Sequence, residues 1–183
     1  VTIASLKSDP MPSRWHWMWR GRPALAAVAL LSALMLGAAL ISQYVFGLAP
    51  CELCHWQRWA HIAAIALAGI GFVLAGSGRA RGMLGGAGLA LAGAALLAGA
   101  GIAGFHAGVE LHWWEGTSAC GGGTPDSLEA LRAQIMGQPI VRCDEVAFSF
   151  AGISMAGWNG LLSLALAAAA AVAARNTLAE AGR

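Results

Sequence analysis

Four stretches of this chain, about 24–46, 59–76, 83–107 and 152–174, contain no Asp, Glu, Lys or Arg. A helix needs about 20 apolar residues to cross a bilayer. Within lipid every backbone polar group must be satisfied inside the segment or in a closed barrel. The four runs lack the alternation of barrel strands, so they predict helices. The chain of 183 residues is 11% charged and 58% hydrophobic, against about a quarter and a half in ordinary soluble domains. The expected fold is therefore all-α and membrane-embedded: a four-transmembrane-helix bundle with a long loop between spans three and four. A net charge of +2 gives no reason to expect nucleic acid as a partner.

The first run is too long for a signal-peptide core and lacks an A-x-A site at its end. Leu48-Ala49-Pro50-Cys51 is a poor lipidation box, because proline precedes the cysteine. Residues 1–22 read as a polar, basic segment with Lys7, Arg14, Arg20 and Arg22, in which Trp15, Trp17 and Trp19 suit interfacial anchoring. A single membrane domain is expected over 23–175, with outer loops at 47–58 and 108–151 and a tail at 176–183.

Charge sets the orientation. Four spans place Lys7, Arg14, Arg20, Arg22, Arg79, Arg81, Arg175 and Arg183 on one side and only Arg58, Arg132 and Arg142 on the other. Positive loops stay inside, so both termini are expected in the cytoplasm. Cys51, Cys54, Cys120 and Cys143 then all fall on the opposite side, where disulfides form and persist. In the long loop, Gly121, Gly122 and Gly123 beside Cys120 suit close approach by a partner. Asp126 and Glu129 have capping-box-like spacing, and Gly137 and Pro139 would end the short helix they begin. Leu128, Leu131 and Ile135 fall on one face of it, making it amphipathic. Ala100, Gly104 and Gly108 form a small-residue ladder in the third span.

The chemistry concentrates in Cys51-Glu52-Leu53-Cys54-His55-Trp56-Gln57-Arg58. Thiolates are favoured at helix N-termini and beside cations. A second span starting near Leu53 puts Cys54 in its first turn with Arg58 one turn deeper. Cys51 becomes the looser partner. A dithiol releases two electrons on oxidation, and a lipid-soluble quinone accepts two. Arg58 is the candidate to bind a quinone oxygen, with snorkelling as its plainer role. His106, near the outer end of span three, is a second candidate donor, or else a packed helix histidine. His61 carries less weight, and His55, Glu110 and His112 read as interfacial. A second cysteine pair in a glycine-rich loop suits exchange with a soluble protein.

These residues carry a resemblance. Cys-Glu-Leu-Cys-His-Trp-Gln-Arg after a first span resembles the signature of the DsbB family, the bacterial quinone-dependent disulfide-generating membrane proteins. Phe105-His106-Ala107-Gly108-Val109-Glu110, Ala119-Cys120, Cys143-Asp144 and Ile153-Ser154-Met155-Ala156-Gly157-Trp158-Asn159 extend it to the fourth span. The resemblance implies a four-helix bundle in the bacterial inner membrane, with ubiquinone or menaquinone as cofactor. It implies that Cys120 and Cys143 pair and oxidise a periplasmic thioredoxin-fold protein of the DsbA type. Cys120 would form the mixed disulfide, with electrons passing to Cys51–Cys54 and the quinone reoxidising this pair through Cys54. Arg58 aligns with the arginine tied to quinone use. Gln57 stands where some members carry an acidic residue. The competing readings are a zinc site made of the four cysteines, since CxxC is also a zinc-ligand spacing, a conduit exporting reductant, and a membrane scaffold with two inert disulfides.

Overall fold

The structure is a computed structural model that describes residues 21–117, 120, 127–129, 132, 136 and 141–183. Four long helices build it: α1 (Gly21–Tyr44), α2 (Glu52–Leu74), α3 (Arg79–Glu110) and α4 (Met155–Ala181). All four are long and apolar enough to cross a membrane. The shortest, with 23 residues, is about 35 Å long at about 1.5 Å per residue. That exceeds the roughly 30 Å hydrocarbon core. The protein is a four-helix membrane protein.

Several boundaries differ from those read off hydropathy, and α4 runs on to Ala181, so most of the tail expected at 176–183 is helix. The second helix begins at Glu52, within a residue of the start near Leu53 that places Cys54 in the first turn and ahead of the apolar run at 59, because a local cap and not lipid sets its start. Cys51 has extended backbone angles (φ −78°, ψ 175°) and its sulfur accepts the amide N–H of Cys54, the role of an N-cap side chain. The loop expected at 47–58 is therefore mostly helix. The fourth helix is preceded by a small antiparallel hairpin, β1 (Ser149–Phe150) and β2 (Ile153–Ser154). Its turn puts Ala151 and Gly152 at φ 52° and 77°, a pair of left-handed residues that matches the twist of the strands. Ser154 then caps α4, its hydroxyl accepting from Gly157 N–H at 3.1 Å. Lys7, Arg14, Arg20, Trp15, Trp17 and Trp19 lie outside the described residues, as do Gly121–Gly123, Asp126, Leu131, Ile135, Gly137 and Pro139. Of the expected loop helix, Leu128, Glu129, Arg132 and Met136 are helical and exposed.

The core is made largely of small side chains. Leu25 and Val28 of α1, Ala64 and Ala68 of α2, Leu89, Ala92 and Leu96 of α3, and Ala167, Ala170, Ala173 and Ala174 of α4 form one buried cluster. Leu30, Leu34, Ile70, Val73, Leu91, Leu97 and Val172 face outward. That inversion fits a lipid surround, where close packing and not water exclusion holds helices together. Among the described glycines, the closest approach to the backbone of another helix is not at the Ala100–Gly104–Gly108 ladder. A Cβ on Gly104 would meet nothing within 4 Å, and the Gly108 position is filled by the Trp114 ring. It lies instead between α2 and α3, where a Cβ on Gly88 would stand 2.8 Å from the Gly71 Cα. Gly88→Val should force these helices apart and cost about 1–3 kcal/mol, read as a lowered unfolding midpoint in detergent. Gly101→Ala, which meets nothing within 4 Å, should leave the midpoint unchanged or raised.

Candidate active site: a dithiol at the head of the second helix

Capping by Cys51 fixes the dithiol. The residue sits at the N-cap of α2, Cys54 falls in the first turn, and the two sulfurs approach to 2.9 Å as thiols. Cys51 is buried and Cys54 partly so. The Cys51 thiol donates to the Cys54 sulfur. This bond first, and burial second, hold the Cys51 thiol above its ordinary range, so it keeps its proton at neutral pH. At the positive end of the helix the Cys54 amide N–H is directed at the Cys51 sulfur, and Cys54 itself lies in the first turn.

His106 reaches the same place from α3. Its Nε2 lies 3.5 Å from the Cys51 sulfur and 3.9 Å from Glu110 Oε1. Its Nδ1 is 3.0 Å from Gln57 Nε2. The residue is 4% exposed, so its ring is enclosed by protein. Glu110, expected at the interface, has its side chain buried and accepts a hydrogen bond from the Ser154 hydroxyl. That bond ties the end of α3 to the start of α4. His55 and His112 are exposed.

Arg58 leans toward α1. Its Nη1 donates to Gln43 Oε1 at 2.5 Å and its Nη2 to the Ala39 carbonyl at 3.3 Å. Among the described residues no carboxylate lies within ion-pair distance, so neutral acceptors hold the cation. It shares with Cys54 a cavity of about 260 Å³ running between α1, α2 and α4, walled by Met35, Leu36, Phe148, Phe150, Trp158 and Leu162. Gln57, His61, His106, Glu110 and Asn159 also line it.

The loop pair sits beside the helix pair. Cys120 and Cys143 are joined by a disulfide with Cα atoms 5.0 Å apart. They pack with Cys51, Leu53 and Val109 in one buried cluster. A second cavity, of about 540 Å³, reaches Cys120 from the outside and is lined by His112, Trp113, Trp114, Thr117 and Asp144. Trp114 stacks on Phe105 at 5.8 Å between centroids and its indole N–H donates to the Phe105 carbonyl, which fixes one wall of that opening. Arg142 grips Asp144 through two hydrogen bonds of 2.9 and 2.6 Å, next to Cys143. The guanidinium holds the Asp144 carboxyl below the usual carboxylate range.

The structure thus brings Cys51, Cys54, Arg58 and His106 to one cavity wall, with Cys120–Cys143 packed behind. Sequence reasoning missed Gln57 and Asn159 and gave His61 too little weight. Asn159 Nδ2 donates to Gln57 Oε1 at 2.7 Å, and His61 Nε2 lies 2.9 Å from Asn159 Oδ1. A signal for part of this was present. Positions 54, 57, 58 and 61 follow the i, i+3, i+4, i+7 rule of a single helix face. A polar face inside a span points inward and marks function.

Fold and site together define a multi-pass membrane protein with two cysteine pairs in contact near one end of the bundle. The chain belongs to the disulfide bond formation protein B family: the family model described as "Disulfide bond formation protein DsbB" matches residues 21–173. Disulfide bond formation protein B of Herminiimonas arsenicoxydans is 44% identical over 104 residues, covering 57% of this chain and 60% of that protein. The protein of the same name from Chromohalobacter salexigens is 33% identical over 135 residues, covering 71% of this chain and 76% of that one. That of Verminephrobacter eiseniae is 33% identical over 172 residues, covering 84% and 90%. No solved structure matches the chain.

Proposed function

We propose that the chain is an inner-membrane thiol oxidoreductase. It reoxidises a periplasmic DsbA-like thioredoxin-fold protein and passes the electrons to a membrane quinone, ubiquinone or menaquinone. The observation that carries this reading is the apolar, aromatic-walled cavity with Cys54 and Arg58 on one wall. Its lining fits such a group. Ligand sites are mostly apolar with a few placed polar groups. Guanidinium has five N–H donors, and two of its nitrogens already bond to neutral acceptors on α1, so donors remain for a ring oxygen.

A quinone bound there supplies an acceptor for two electrons and two protons. The chain's own residues do the rest. The cleft at Cys120 admits a partner thiolate, which attacks Cys120 and releases Cys143. The partner's second thiol closes its own disulfide and leaves Cys120 and Cys143 reduced. These two thiols then exchange with the Cys51–Cys54 disulfide, restoring Cys120–Cys143 and leaving Cys51 and Cys54 as thiols. The bonded Cys120–Cys143 pair and the Cys51 and Cys54 sulfurs 2.9 Å apart support this order. Thiol–disulfide exchange requires contact between the pairs, and their shared cluster supports it. Arg58 lines the same cavity as both sulfurs of this pair, one turn below Cys54.

The test is purified protein with quinone and a reduced thioredoxin-fold partner, following quinone absorbance and partner thiols together. Equal loss of both is expected; partner oxidation without quinone reduction sinks the reading. Orientation rests on the lysine and arginine bias. In intact cells with reduced thiols, an impermeant reagent should label Cys120 without lysis of the inner membrane, and labelling only after lysis inverts the topology.

One observation favours a second reading. The ligand atoms of Cys51, Cys54 and His106 lie within 4.8 Å of one another, a set that also suits zinc. The four-cysteine version is not assembled, because Cys120 and Cys143 are bonded to each other. One equivalent of zinc that blocks alkylation of Cys51 and Cys54 in the purified protein would favour the metal.

A further inference from the structure

An unbroken line of hydrogen-bonded side chains runs from inside the bundle to the dithiol: His61, Asn159, Gln57, His106, Cys51 and Cys54. It crosses from α2 to α4, back to α2, then to α3 and to the head of α2. Its imidazoles and amides are two-faced, each giving a hydrogen on one side and taking one on the other. The direction chosen at one end therefore propagates to the other.

The His61 end makes the choice. Its Nδ1 is buried and has no partner among the described residues. A buried orphan N–H is rarer in proteins than an under-satisfied acceptor, so Nδ1 is bare and Nε2 carries the hydrogen. That hydrogen goes to Asn159 Oδ1, toward which the Ser163 hydroxyl also donates at 3.5 Å. Asn159 then presents its NH2 to Gln57 Oε1. Gln57 presents its own NH2 to His106 Nδ1. With Nδ1 accepting, neutral His106 holds its proton on Nε2, the nitrogen facing the Cys51 sulfur.

We propose that His61, Asn159 and Gln57 are positioning residues that lock His106 in the Nε2–H tautomer, so that its ring donates to the Cys51 sulfur. Cys51 gathers negative charge whenever it leaves or attacks in exchange with the loop pair. A donor already aimed at that sulfur stabilises the charge without reorganising. The same arrangement bars neutral His106 from taking the Cys51 proton, because its only bare nitrogen is turned to Gln57. The division of labour is then by sulfur: Arg58 serves Cys54 and His106 serves Cys51. This role rests on the reading of Cys51–Cys54 as a redox pair; the tautomer does not.

The experiment is nitrogen NMR of 15N-histidine-labelled protein in nanodiscs with Cys51 and Cys54 reduced. Signals of His61 and His106 are identified by their loss in His61→Gln and His106→Gln. Both rings should show the Nε2–H tautomer, and a His106 ring protonated on Nδ1 overturns the proposal. Asn159→Asp removes the amide donor, so Gln57 must turn its NH2 to Asp and its oxygen to His106. The His106 signal should then move to the Nδ1–H form, and quinone-coupled turnover should fall about tenfold in kcat with the quinone KM unchanged. Loss of turnover with the Nε2–H signal retained overturns the positioning role. Gln57→Glu makes the same demand on His106 and serves if the first variant does not fold, while the wild-type spectrum is decisive without either. Absence of quinone-coupled turnover in the wild-type protein sinks the oxidase reading and the role with it. The tautomer assignment stands or falls on the spectrum alone.

Discussion

Cys54→Ser protein is expected to oxidise one equivalent of its thioredoxin-fold partner and then stop. Cys120–Cys143 is a complete disulfide without help from α2, so the first exchange at the Cys120 cleft needs nothing from Cys54. Return of the electrons does. Removing the Cys54 sulfur leaves Cys51 without the neighbour 2.9 Å away with which it would close a disulfide. Steady turnover should fall by more than about 1000-fold, as when a nucleophile is deleted from a unit that acts together. Rapid mixing with a stoichiometric excess of reduced partner reads the outcome directly. A single-equivalent burst followed by a flat trace agrees with two pairs in series. Continued turnover shows that quinone can draw electrons from the loop pair without Cys54, and the order argued from the packing of the pairs is then wrong.

Arg58→Met should weaken quinone use by about 10- to 100-fold in apparent KM. A hydrogen bond to a charged donor contributes about 1.5–3 kcal/mol, and each 1.4 kcal/mol is about a factor of ten. The competing role is structural. Arg58 also ties α2 to α1 through Gln43 and the Ala39 carbonyl, so its loss could act through the cavity wall. Gln43→Leu separates the two roles: it removes one anchor of the guanidinium and leaves the charge. A large KM effect in Arg58→Met with a small one in Gln43→Leu assigns the effect to the cation. Equal effects, with matching losses in thermal midpoint, return Arg58 to holding helices together.

Hydropathy and cysteine placement made most of the architecture legible before any coordinates. Charge-free runs of this length have one solution in lipid, and the CxxC with an arginine four residues on is a compact local signal. What stayed hidden depends on how helices are rotated and paired. Gln57 and Asn159 are 102 residues apart, and nothing local in either run says that they meet. Glu110 read as interfacial because it ends an apolar run; the Ser154 hydroxyl, brought back by the hairpin, is what makes its burial tolerable. That hairpin turns on Ala151-Gly152, which lacks the Asn-Gly or Asp-Gly signal of such turns. Hydropathy alone puts the start of α2 at 59, while the dithiol reading puts it near Leu53; the structure starts it at Glu52 with a cap whose acceptor is sulfur, not the oxygen for which such positions are usually searched.

That cap has a mechanical consequence. Cys51 receives the Cys54 amide on the same sulfur that is proposed to make and break bonds. Every change in oxidation state therefore changes the group that closes the end of a membrane helix. A thiol can donate a hydrogen and a disulfide sulfur cannot, and the three forms differ in the direction of their lone pairs, so the acceptor offered to the Cys54 amide changes at each stage. Arg58 and Gln57 sit on the next turn of the same helix. The cavity wall and the hydrogen-bond line to His106 therefore start one turn away from a helix cap whose chemistry depends on the electron count of the dithiol.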